Sequence, residues 1–234
     1  LRSCYALSKA AFRLLPLLGE KGITKVTASV GAEQEYFLVD DKYYQERMDL
    51  KLTGRTLFGA MAPKGQELED HYFGSLKRKV SAFMKDLDHE LWKYGIPSKT
   101  KHNEVAPAQH EVACVYSKVN ITTDNNHLLM QIMQDIAKKH GLRCLLHEKP
   151  FAGVNGSGKH DNWSVITNTG INLFNPGANP AENKPFIATL ACTIKAVDDY
   201  ADLLRMSIAS AGNDHRLGAN EAPPAIISMF LGEE

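Results

Sequence analysis

An α+β fold, with a curved and mostly antiparallel sheet flanked by helices, is what this sequence predicts, and three observations carry the prediction. Strand-like segments fall mostly in hairpin-like runs instead of alternating one for one with helices. Long segments with helical spacing of apolar residues stand isolated between those runs. The 17 glycines follow neither the dinucleotide-binding nor the P-loop arrangement, so any nucleotide chemistry here uses another device.

Each element follows from local pattern. Residues 3–18, "SCYALSKAAFRLLPLL", space their apolar side chains as a helix does, and Pro16, Gly19 and Gly22 end it. Residues 24–40, "TKVTASVGAEQEYFLVD", are rich in β-branched and aromatic types and predict a strand interrupted at Gly31. The stretch 42–74 holds Gly54, Gly59, Pro63, Gly65 and Gly74 and predicts an extended loop with a few ordered pieces, of a length that marks a functional segment or an insertion. A helix over 75–94 places Leu76, Val80, Phe83, Leu87, Leu91 and Tyr94 on one face. Strands over 98–105 and 110–116 follow, joined across Pro107, then a helix over 121–139 capped by Thr123 or Asp124. "RCLLHEKP", 143–150, and "NWSVITN", 162–168, predict two more strands, and 186–209 a last helix. The tail from Gly212 is loop-rich, with Pro223 and Pro224.

Composition bounds the function. With 27 basic and 27 acidic side chains the chain has no electrostatic footprint for nucleic acid or a membrane surface. No apolar run approaches the ~18 residues that span a bilayer. Cys4, Cys114, Cys144 and Cys192 are scattered, which suits buried, reduced thiols in a cytoplasmic protein. Opening without Met, and stopping just after the strand-like run "AIISMF", the chain is expected to be a piece of something longer.

Four segments carry the polar chemistry. In "GAEQEYFLVD", Glu33 and Glu35 lie two apart on a strand and project from one face. In "KHNEVAPAQHEVACVY", Glu104 and Glu111 flank Pro107, and pairing of the two strands is expected to set them face to face. Opposed carboxylates repel unless a cation lies between them. In "NGSGKHDNWS", His160 follows a flexible glycine turn. Each segment alone also fits a solvated surface. Together they form an oxygen-rich set with one nitrogen, which suits Mg²⁺ or Mn²⁺ better than Zn²⁺. "GNDHRLGANEAPP" adds Arg216 and Glu221 in a loop, where a surface ion pair is the plain alternative.

In this order the four segments resemble the glutamine synthetase family across essentially the whole chain. "TGRTLFGAMAPKGQELEDHYFG" looks most like its long-chain type III form. The resemblance implies a single catalytic domain over 1–234, truncated, with its N-terminal domain and C-terminal remainder absent. It implies that ATP phosphorylates glutamate and that ammonia displaces phosphate to give glutamine, with two or three Mg²⁺ or Mn²⁺ ions. It assigns Glu35, Glu104 and Glu111 to a first metal, Glu33 and His160 to a second, and Asn155 and Gly156 to the glutamate-binding turn. Asn162 and Ser164 match the ATP site, and Trp163 between them is expected to point into the core. Arg216 matches an arginine on substrate carboxylate or phosphate, and Glu221 the flap residue that helps deprotonate ammonium. The complete protein is expected to be a homo-oligomeric ring, and these residues alone to be inactive or badly impaired. Alternatives are a γ-glutamyl ligase using another amine, and a non-catalytic metal- or nucleotide-binding relative.

Overall fold

The computed structural model describes residues 1–208. Helix α1 (Arg2–Leu14) runs into a 3-10 turn, Leu15–Leu18, and leads to strand β1 (Val26–Asp40). Two short helices, α2 (Asp41–Glu46) and α3 (Met48–Thr53), precede an irregular stretch to α4 (Arg78–Lys93). Strands β2 (Ser98–Asn103), β3 (Gln109–Cys114) and β4 (Ser117–Lys118) come before the long helix α5 (Val119–Lys139). Then follow β5 (Leu142–Leu145), β6 (Asp161–Thr167), α6 (Lys184–Asp199) and α7 (Ala201–Ile208).

Every strand pairing is antiparallel, and β1 organises the sheet. Its 15 residues are long enough to pair with four partners. β6 lines residues 26–32 and β5 lines 37–40, while β4 and β3 pair at 29–30 and 33–37, with β2 beyond β3. Alternation then divides its side chains. Tyr36 and Leu38 enter a core with Val80, Phe83, Met84, Leu87 and Leu91 of α4 and Leu129, Met133 and Ile136 of α5. These helix residues recur at three and four, which is why two helices can cover one side of the sheet. On the other side Phe37 packs with Leu50, Ala106 and Leu145.

Local signals place most boundaries, and some expectations are corrected. The cap expected at Thr123 or Asp124 is not there: α5 begins at Val119, and Lys118 precedes it without a side-chain cap bond. Thr123 instead donates its hydroxyl to Val119 O, inside the helix. The strand expected over 143–150 stops at Leu145, where its pairing with the end of β1 runs out. The helix expected over 186–209 is two, because Tyr200 takes a non-helical φ of -116. Asn183 caps the first, accepting the Phe186 N–H at 3.1 Å, with Pro185 in the first turn. All four cysteines are free, but only Cys144 is buried. Residues 209–234, including the tail expected to be loop-rich, lie outside the described residues.

The 42–74 stretch is held to the body by named bonds. Asp49 is buried and accepts from Arg47, from the Leu50 N–H and from the Leu57 N–H. Further on, the Asn103 amide donates to Gly74 O at 2.9 Å, and the Tyr72 ring meets His102 edge-on.

Candidate metal and amino-acid site

Alternation along β1 directs Glu33 and Glu35 to the face opposite Tyr36 and Leu38. The register sets Glu111 across from Glu35 and Gln109 across from Phe37. β2 brings His102 opposite Glu111. On the other edge the 158–160 segment extends the β6 ladder: the Glu33 N–H donates to His160 O at 2.9 Å, the Glu35 N–H to Gly158 O at 3.3 Å. The carboxylates of Glu33, Glu35, Glu104 and Glu111 and the His160 ring thus gather on one sheet face from three separate parts of the chain.

Glu104 and Glu111 are not cross-strand partners as expected. The hairpin closes over 105–108, with Ala108 at φ 61, and the Glu104 N–H donates to Gln109 O. That register leaves Glu111 facing His102. The imidazole then links the two carboxylates, its Nδ1 3.3 Å from Glu104 Oε1 and its Nε2 3.2 Å from Glu111 Oε1.

Among the described residues two groups bring their donor atoms within 4.8 Å of one another: Glu33, Glu111 and His160, and His102, Glu104 and Glu111. Glu111 belongs to both. His160 Nδ1 lies 3.1 Å from Glu33 Oε2 and 3.8 Å from Glu35 Oε1. Asn162 donates to Glu33 Oε1 at 2.5 Å. Glu35 belongs to neither group; its Oε2 accepts the Gly158 N–H at 2.6 Å and the Gln109 amide at 3.3 Å.

These carboxylates are electrostatically expensive. Glu35 is 2% exposed. Burial raises its pKa to about 8, with Glu104 and Glu111 adding to the rise and the Gly158 N–H and His160 opposing it. Burial and the nearby Glu33 raise Glu111 as well. For His102, burial pushes the pKa down, but the Asn103 carbonyl and both glutamates outweigh it and hold the ring above its ordinary value. A divalent cation relieves this crowding, and the oxygen-rich donor set with imidazole nitrogen fits Mg²⁺ or Mn²⁺.

The glycine turn borders the carboxylates. Asn155 and Ser157 are buried, and the Ser157 N–H donates to Glu148 O at 2.6 Å. Gln109, 1% exposed, braces the turn against Glu35 by donating to Gly156 O at 2.8 Å as well. Farther along the same sheet face, Ser164 pairs with Ser29. A cavity of about 280 Å³ opens there, lined by Thr27, Ser29, Tyr116 and Ile166 among others. Another of similar volume, around Tyr44, Lys138, Arg143 and His147, includes none of these carboxylates. Trp163 is 47% exposed and rests edge-on against Phe174, so it is not the core residue expected. By strand alternation it does point away from Asn162 and Ser164. Arg216 and Glu221 lie outside the described residues.

Two residues of this site escaped the sequence reading. His102 and Gln109 each lie two positions before a named glutamate on a strand, so the period of two that paired Glu33 with Glu35 would have put both on the site's face.

A family model described as "Glutamine synthetase, catalytic domain" matches residues 9–224. A glutamine synthetase of Butyrivibrio fibrisolvens is 63% identical over 234 residues, all of this chain and 33% of the relative. A type-3 glutamine synthetase of Dictyostelium discoideum is 52% identical over 98% of this chain and 31% of the relative. The chain thus spans about a third of the length of these curated relatives. Among solved structures, a GmaS/ADP complex superposes with a TM-score of 0.62 over 92% of this chain and 44% of that one; at 19% identity the likeness is one of fold.

Proposed function

The chain belongs to the glutamine synthetase catalytic-domain family, and from that premise we propose that the protein carrying it joins ammonia to glutamate at the expense of ATP, through γ-glutamyl phosphate. The observation that carries the proposal is the convergence of Glu33, Glu35, Glu104, Glu111 and His160 beside the Asn155–Gly158 turn.

On the family resemblance Glu35, Glu104 and Glu111 would hold one divalent ion and Glu33 with His160 another; in the geometry Glu104 and Glu111 gather with His102, and Glu33 and Glu111 with His160, so Glu111 is common to both donor groups. Mg²⁺ or Mn²⁺, when bound, neutralises charge on the transferring phosphoryl group. The residues of the chain bind and orient. Asn155 and Gly156 seat the amino acid beside the carboxylates. Gly158 directs its N–H at Glu35, and Gln109 locks the turn to the same carboxylate, so seat and metal ligands move as one. Asn162, bonded to Glu33, and Ser164, two positions on along β6, border the nucleotide. Arg216 grips a substrate carboxylate or phosphate, and Glu221 closes the site and accepts a proton from ammonium. Those two roles rest on the sequence match alone.

No helix among the described residues is long and apolar enough to cross a membrane. A cytoplasmic homo-oligomer of a longer chain, in which 1–234 is one part of the catalytic domain, completes the proposal. The test is to assay the full-length protein with glutamate, ATP and Mg²⁺ or Mn²⁺, offering ammonia or an alkylamine. Glutamine and phosphate in equal amounts with ammonia are expected. Phosphate release only with the amine would assign a different γ-glutamyl ligase, and none with either would leave a binding protein.

A further inference from the structure

We infer that Gln66 is a positioning residue for the amino-acid substrate, acting through Asn155 and deciding which end of the Asn155 side-chain amide that substrate meets. The inference rests on the reading of the Asn155–Gly156 turn as the amino-acid seat.

Gln66 lies in the 53–74 stretch, 89 positions from Asn155 along the chain, yet it makes two bonds to it. The Asn155 backbone N–H donates to Gln66 Oε1 at 2.6 Å, and Gln66 Nε2 donates to Asn155 Oδ1 at 3.4 Å. Gln66 is half-buried and Asn155 only 4% exposed, so the pair sits against the turn and not out in water. Its loop is braced internally and anchored to β2. His71 Nε2 bonds Gly65 O at 3.1 Å, Lys64 pairs with Asp70, and the Asn103 amide holds Gly74 O.

The consequence is one of amide polarity. An amide presents an acceptor at one end and two donors at the other. With its oxygen committed to Gln66, Asn155 offers a ligand its Nδ2 donors. A donor suits the carboxylate of an amino acid; an exposed amide oxygen would repel it. Gln66 therefore selects the end that binds an anion. A glutamate at 66 would still accept the backbone N–H, but having no donor it would draw Nδ2 inward and turn Oδ1 outward.

The experiment uses the full-length protein and compares wild type, Q66A, Q66E, N155A and the Q66A/N155A double variant. KM for glutamate and for ATP are measured, with Mn²⁺ affinity by titration as the check that each variant folds. Q66A is expected to raise KM for glutamate roughly 10-fold, the scale of one hydrogen bond to a charged group, and Q66E more than Q66A. KM for ATP and Mn²⁺ affinity are expected to stay within about twofold of wild type, and the double variant to be no worse than N155A, the non-additivity of residues acting as a unit. A purely structural role would move all three constants together. If N155A raises KM for glutamate and Q66A does not, or if their effects multiply in the double variant, the role of Gln66 is overturned while the seat stands. If N155A leaves KM for glutamate unchanged, the seat itself is wrong and both readings fall.

Discussion

Replacing Glu35 by Gln isolates the electrostatic cost of the site. Protonated Glu35 and Gln are nearly isosteric, so the substitution removes the ionisation and little else. With no cation bound, burial pushes the Glu35 carboxyl up to about 8 from an ordinary 4.5. Between those values the unfolded chain has released a proton that the folded chain retains. The unfolded state gains from each rise in pH, so stability present below 4.5 is lost progressively up to 8, where the slope ends. The loss runs at about 1.4 kcal/mol per pH unit, which amounts to about 5 kcal/mol across the window. At 2% exposure little of that is screened by solvent. The assay is urea denaturation with EDTA present at pH 5, 6, 7 and 8, for wild type and E35Q. E35Q is expected to be the more stable protein at pH 8 by several kcal/mol and to show a shallower pH dependence. Added Mn²⁺ should restore wild type at pH 8 and do much less for E35Q, which has lost a charged donor. Parallel pH dependences in EDTA would refute the claim that Glu35 is held against its own charge.

Two further expectations follow from neighbours of the site. In G158A the new methyl would stand 2.4 Å from His160 Nε2, so the ring must swing away from Glu33; Mn²⁺ affinity should fall about 10-fold or more while the melting temperature moves only a few degrees, and unchanged affinity would count against His160 as a ligand. His110 is buried beside Tyr36 and bonded to Asn103, and burial depresses its pKa to about 4. Because the unfolded histidine binds a proton near 6.5, stability is full above that value and drains as pH falls toward 4, by roughly 3 kcal/mol in all; H110N, compared with wild type by urea melts at pH 7.5 and 5, should lose that acid sensitivity.

Much of the site was legible because its residues obey the period of two. Glu33 and Glu35 lead into the apolar run Tyr36–Val39 on a strand, and alternation alone sends them to one face. The same period carries His102 and Gln109, each two positions before a glutamate, to the site. What escaped entirely was distance: nothing near Gln66 announces Asn155, and nothing near Gly158 announces a carboxylate on a strand more than a hundred positions earlier.

By itself, the sequence determined the elements and the residue types that carry charge, because helical and strand periodicities are local and survive without a fold. Only the tertiary structure decided that Glu111 faces Glu35 on one side and His102 on the other, and so belongs to both donor groups. Register is a property of the pairing. It is settled where the hairpin turn closes and the core packs, and a slip of one residue between β1 and β3 would have put Glu111 on the face opposite Glu35.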